Sequence, residues 1–145
     1  MARQRGIKAS TDKIIQSVSR GGSILTTNGS NPVLITGMEI TIDVPEGATV
    51  RVSGMCNCNS DDSSDRVLLV EINEDGVAIA NSIGSCAPNE ISQATGPGVG
   101  GRANNVFATA IFTPTAGSHT YDLRLGREGS NDARTYNSYL IVEVL

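Results

Sequence analysis

The sequence predicts an all-β domain, a sandwich or barrel of roughly eight short strands. Three observations carry this. Apolar residues recur with a period of two along most of the chain, turns rich in Gly, Pro, Asn and Asp punctuate them, and no segment sustains a helical period. At 145 residues the chain is about one domain's worth of polypeptide, with a single core. It contains no Trp, two Phe and three Tyr, so that core must be built from Val, Ile, Leu, Ala and Met.

Taken in order, Leu34, Met38, Ile40, Ile42 and Val44 share one parity while Glu39, Thr41 and Asp43 take the other, as a half-buried strand requires. Pro45-Glu46-Gly47 stops that run, and Val50 and Val52 then alternate with Thr49, Arg51 and Ser53. The stretch from Arg66 to Asn73 is apolar on both parities and predicts a strand covered on both faces. Asn73-Glu74-Asp75-Gly76 predicts a hairpin connection into Val77–Asn81, with Gly76 suited to positive φ. Asn105–Thr113 is a further strand, which Pro114-Thr115-Ala116-Gly117 turns back. His119, Tyr121, Leu123 and Leu125 then alternate with Thr120, Asp122 and Arg124, and Tyr136–Leu145 is the last strand. Ser10–Val18 is the one stretch that suggests a turn of helix. Cys56–Asp65 and Ile83–Asn104 break the rhythm as longer polar loops, which in β domains gather at the ends and contact partners.

Charge divides the chain. Met1–Thr36 carries five cations (Arg3, Arg5, Lys8, Lys13, Arg20) against Asp12 alone, while the remainder holds six Arg and fourteen acids. A basic arm therefore precedes an acidic body. Residues 1–22 are expected to form that arm with the first strand, and 23–145 the sandwich. We expect the arm to dock on an acidic neighbour, through Arg3, Arg5, Lys8 and Lys13. The formal charge of −4 argues against a general nucleic-acid binder. No apolar run has the length of a membrane span or a secretory core, so the expectation is a soluble chain with no membrane partner.

Motifs that suggest chemistry are weak. Gly96-Pro97-Gly98-Val99-Gly100-Gly101 contains G-x-G-x-x-G, but it precedes a strand and not a helix, so it lacks the context of a dinucleotide site. Asp61, Asp62 and Asp65 offer hard oxygens to calcium without the spacing or closing Glu of a calcium loop, and read first as a solvated turn. Cys56, Cys58 and Cys86 with His119 have the ligand types for zinc, but C-x-C is not the usual knuckle spacing; one disulfide is the next reading, and plain reduced thiols are the simplest expectation. Asn28-Gly29-Ser30 fits the glycosylation pattern, which has meaning only on a secretory route. A single His, with no G-x-S-x-G and no H-E-x-x-H, predicts a protein that is not an enzyme and has no cofactor.

The C-terminal third resembles a known family. Thr113-Pro114-Thr115-Ala116-Gly117-Ser118-His119-Thr120-Tyr121-Asp122-Leu123-Arg124-Leu125, followed by Ser138-Tyr139-Leu140-Ile141-Val142-Glu143-Val144-Leu145, resembles the jelly-roll modules of bacteriophage tail-fibre tips and head decoration proteins. These share the sandwich of the tumour-necrosis-factor and complement-C1q type, which assembles as trimers. The resemblance covers about 40 residues closely. Aromatics are fewer than that type usually places on its threefold axis.

The resemblance implies a jelly roll of about eight antiparallel strands and a homotrimer. It implies a structural virion protein, made in the host cytoplasm, that decorates and stabilises the outer capsid surface. Its partners would be the major capsid protein and copies of itself. Val106, Phe107, Ile111, Tyr139 and Ile141 are the interface candidates, because Val106–Phe112 is apolar on both parities and has a second face to cover. The alternative is a receptor-binding tip of a tail fibre, with the two long loops on a host polysaccharide. Those loops hold no Trp or Tyr platform for a sugar ring.

Overall fold

Local chemistry sets the strand ends. Asp75 (φ 50°) and Gly76 (φ 81°) both take positive φ, the conformation of a two-residue hairpin turn whose twist matches that of the strands it joins. Gly47 (φ 73°) follows Pro45 in the turn the sequence predicts there. The computed structural model describes residues 14–20, 25–27, 31–60, 68–80, 82, 84–86, 104–127 and 133–145. The arm residues Arg3, Arg5, Lys8 and Lys13, the acids Asp61, Asp62 and Asp65, the Asn28–Ser30 sequon and the Gly96–Gly101 loop lie outside the described residues.

Among the described residues there are ten strands and no helix. They are β1 (Ile14–Arg20), β2 (Leu25–Thr27), β3 (Val33–Val44), β4 (Val50–Ser60), β5 (Leu68–Glu74), β6 (Val77–Ala78), β7 (Gly84–Cys86), β8 (Asn104–Phe112), β9 (Gly117–Arg127) and β10 (Ala133–Val144). They form two antiparallel sheets. The first has the order β1-β10-β4-β8, with β2 also on β10; the second has the order β3-β9-β5-β6, with β7 on β5. The all-β expectation is borne out.

Several local expectations need correction. Ser10–Val18 does not turn into helix where it is described: Ile14–Arg20 pairs with β10 over its whole length, from Ile14 opposite Val144 to Arg20 opposite Ser138. The free hydrogen-bonding edge of β10 and the β-branched Ile14, Ile15 and Val18 outweigh a weak helical preference. Leu34 is out of phase with the rest of β3. The register advances from Leu34 opposite Arg124 to Glu39 opposite Asp122, a bulge containing Gly37 (φ 84°) that puts Ile35 into the core instead. Cys56–Ser60 is strand and not loop, since β10 pairs with it as far as Ser60 and β8 as far as Cys58. Gly84–Cys86 is likewise strand, held by Leu68–Val70.

The turn at Pro114 does not fold β8 back onto β9 as a hairpin. β8 belongs to the first sheet and β9 to the second, so the chain crosses between layers there, as it does between β3 and β4. The inward faces of the two layers make one aliphatic core. Val50, Val52, Leu140 and Val142 of the first sheet meet Ile35, Met38, Val70, Ile72, Leu123 and Leu125 of the second. Each such side chain contributes on the order of 1.5–3 kcal/mol on burial. Among the described residues Tyr121 is the one fully buried ring in this core, with Phe112 edge-on to it at a centroid distance of 6.1 Å.

Candidate functional site

The first sheet has one face in the core and one in solvent, and the solvent face carries large apolar side chains. Strand register arranges them in rows. Tyr139 lies opposite Met55, and Met55 opposite Phe107, across β10, β4 and β8. Two residues along each strand, Ile141 lies opposite Ser53 and Ser53 opposite Thr109, whose hydroxyls bond at 2.8 Å. The next row reads Ile15, Glu143, Arg51, Ile111, with Arg51 and Glu143 ion-paired through Nε, Nη2 and Oε2. Asn57 donates to Asn105 at 2.9 Å beyond the other end. Phe107 and Ile111 are each 62% exposed, and both stand on β8, the outermost strand of the sheet path.

An edge strand of nine residues with exposed Phe and Ile is a surface that natural proteins cover or blunt. Of the interface residues expected from sequence, Phe107, Ile111, Tyr139 and Ile141 share this outer face. Val106 does not: it is 2% exposed and packs in the core, because adjacent strand residues point to opposite faces. Val106 is therefore a core residue and cannot touch a neighbouring molecule. Met55 and Ile15 belong to the face and were missed. Their parity with Arg51, Ser53 and Ser17 was legible, but the side of the sheet that faces solvent was not.

The second sheet differs in character. Its outer face carries Glu39, Asp122 and Asn73 in one cross-strand row, and Arg124 bonds the Asp122 carboxylate at 2.8 and 3.3 Å. Asn73 is buried, and its Oδ1 has no partner.

Among the described residues, His119, Tyr121 and Cys56 are each held by hydrogen-bonding neighbours. Asp75, His119 and Thr115 lie in the order of an acid–base–hydroxyl relay, with Asp75 Oδ2 2.8 Å from Nδ1. The other ring nitrogen, however, is nearer the Thr115 carbonyl (2.9 Å) than the Thr115 hydroxyl (3.5 Å), so it has no lone pair aimed at a nucleophile. Tyr121 donates to Glu74 at 3.0 Å, and burial, with Glu74 beside it, pushes its hydroxyl well above the usual phenol range. Burial also pushes the Cys56 thiol up to about 11, and Ser138 Oγ lies 3.5 Å from its sulfur. Cys56 and His119 cannot share a metal. Val50 pairs with Phe112 beside the Thr115 turn, and Cys56 is six residues further along β4, roughly 20 Å at strand rise. Among the described residues no three His, Cys, Asp or Glu side chains are grouped to hold a metal ion.

A direct check follows from the thiol. With pH 8 thiol reagent and peptide mass mapping, Cys56 is expected to stay unmodified in the folded protein and to react fully once denaturant is added. Modification under native conditions at the rate of a free thiol would contradict its burial.

Two antiparallel five-strand layers, β1-β10-β4-β8 with β2 on β10 and β3-β9-β5-β6 with β7 on β5, joined by crossings between layers, define a jelly-roll β-sandwich. No family model and no curated protein matches the chain in sequence. Among solved structures it is similar to the VP2 subviral particle of infectious bursal disease virus, with 13% identity and a TM-score of 0.56 over 92% of this chain and 33% of that one. The infectious bursal disease virus Gx strain gives 13% identity and 0.55 over 91% and 32%. The Eiger TNF of S. frugiperda gives 11% and 0.48 over 90% and 92%. The chain spans about a third of the length of the viral chains it matches, and at these identities the likeness is one of fold.

Proposed function

We propose that this chain is a structural virion protein, a decoration protein that binds the outer capsid surface of a tailed bacteriophage and stabilises it. Its work is adhesion and not chemistry. The observation that carries the reading is the apolar outer face of the first sheet, with Tyr139, Met55 and Phe107 in one row and Ile111 further along the edge strand. That face is the surface through which copies associate, as a trimer. The basic segment with Arg3, Arg5, Lys8 and Lys13 supplies the contact to acidic patches on the major capsid protein, and many weak contacts add up through avidity. The fold likeness to VP2 of a subviral particle supports a particle role.

A receptor-binding tip is the second reading, favoured by one feature. Ser60 lies opposite Ala133, and Arg127 opposite Leu68, so the described strands bordering residues 61–67 and 128–132 end together at one end of the sandwich.

The test is co-sedimentation with expanded capsids. Deleting residues 2–13 is expected to abolish binding while self-association survives. Retained binding by the truncated protein overturns the role of the basic segment. Electron microscopy of the particle separates the readings: density over the whole shell supports decoration, and density confined to tail tips overturns it.

A further inference from the structure

His119 lies on β9 at the end of the sandwich where the chain turns from β5 to β6 and from β8 to β9. Both ring nitrogens face acceptors. Nδ1 is 2.8 Å from Asp75 Oδ2 and 3.3 Å from Glu74 Oε1, and Nε2 is 2.9 Å from the Thr115 carbonyl oxygen. A carbonyl oxygen only accepts. The Thr120 N–H, donated to the other oxygen of Asp75 at 2.8 Å, favours its carboxylate form. A neutral imidazole has one N–H and one lone pair, so it satisfies one of these acceptors and turns a lone pair on the other. Only the imidazolium, which donates from both nitrogens, satisfies both.

We propose that the sandwich carries a proton-operated latch: His119, held as the imidazolium, ties the β5–β6 turn to the β8–β9 turn, and loss of its proton releases them. The elements packed around the ring agree. The β5 end brings Glu74, the β5–β6 turn brings Asp75, and β9 brings Tyr121 with its ring centroid 6.4 Å away. From β3, the apolar Ile42 lies opposite. Two carboxylates therefore bear on a buried ring that no cation opposes in that set. Asp75 raises the imidazole above its ordinary value, and burial only partly offsets this. The Thr120 N–H, and then the ring, hold the Asp75 carboxyl below the usual carboxylate range.

The sign follows. A raised His119 means the latch contributes fully below the ordinary imidazole value of 6.5 and is lost as pH rises through the higher folded value. A depressed Asp75 means its side of the latch is lost only as pH falls through a value below the ordinary carboxylate 3.8. The device is closed in mild acid and opens toward alkali, whatever surface the protein adheres to.

The chain has one histidine, so its imidazole resonances need no assignment. The experiment is a nitrogen-15 NMR titration of the intact protein, with amide exchange followed across the same range. Both ring nitrogens are expected to be protonated at pH 6, with a midpoint above 6.5. Protection of the Asp75 and Thr120 amides, corrected for intrinsic exchange, is expected to fall by about tenfold or more through that midpoint. His119→Gln is expected to remove this pH dependence. Asp75→Asn is expected to bring the midpoint down. A midpoint at or below 6.5, or a His119→Gln protein with an unchanged Thr120 exchange profile, overturns the latch.

Discussion

Replacing Gly54 by valine is expected to cost about 3 kcal/mol of stability and to lower the melting temperature by roughly 10 °C. Gly54 lies on the inward face of β4 between Val52 and Cys56, and it is buried. A Cβ at this position would overlap Leu123 Cδ1 of the opposite sheet and stand 3.2 Å from Cδ2 and 3.3 Å from Cγ. Leu123 is itself fully buried and lies opposite Ile72 on β5, so giving way would disturb its own packing. The layers therefore approach more closely here than a side chain at position 54 allows with Leu123 where it stands, and the glycine is required by space and not by backbone angle. Urea unfolding measures the loss, and a second substitution identifies the cause. Leu123→Ala alone is expected to cost about 2–5 kcal/mol by leaving a cavity. The double variant is expected to be more stable than the sum of the two losses by about 1–3 kcal/mol, because valine fills what the leucine vacates. A Gly54→Val protein within about 0.5 kcal/mol of the wild type would show that the sheets are not packed at this spacing.

The second large effect concerns assembly. Phe107→Glu combined with Ile111→Glu is expected to convert a self-associated protein into a folded monomer, weakening association by roughly a thousandfold or more. Both side chains are mostly exposed in the isolated chain, so the substitutions remove little from its own core. In an assembly they would set carboxylates against an apolar surface, and an unpaired buried charge is costly. Sedimentation velocity over a concentration series reads the result, with circular dichroism to show that the strands persist. Asp43→Ser, on the exposed face of the second sheet, serves as the control and is expected to leave association unchanged. A wild-type protein that remains monomeric at the highest concentrations, or a double variant that still assembles, removes the outer face of the first sheet from the proposed function.

Much of the fold was legible because strand and turn signals are local. The alternation of Ile40 and Ile42 with Thr41 and Asp43, and of Tyr121 and Leu123 with Asp122 and Arg124, matches the observed strands, and Asp75-Gly76 makes the expected hairpin. The misreadings fall where pairing overrides local preference. β1 forms because β10 presents an open edge, and β4 extends through Cys56–Ser60 because β8 and β10 flank it. The interface set was mostly placed on one face, yet it included Val106, since a strand apolar on both parities does not say which parity is inside.

By itself, then, the sequence determined the strand class, the turn positions, an aliphatic core poor in aromatics and the division of charge between leading segment and body. Each follows from residue type and near neighbours along the chain. The tertiary structure alone decided that β8 and β9 belong to different layers, that Phe107 faces out while Val106 faces in, and that Gly54 makes room for Leu123. It also decided that His119 meets acceptors from two separate turns. These depend on groups brought together from distant parts of the chain, and hydrophobic alternation, which repeats every two residues, carries no label for the strand that will lie opposite.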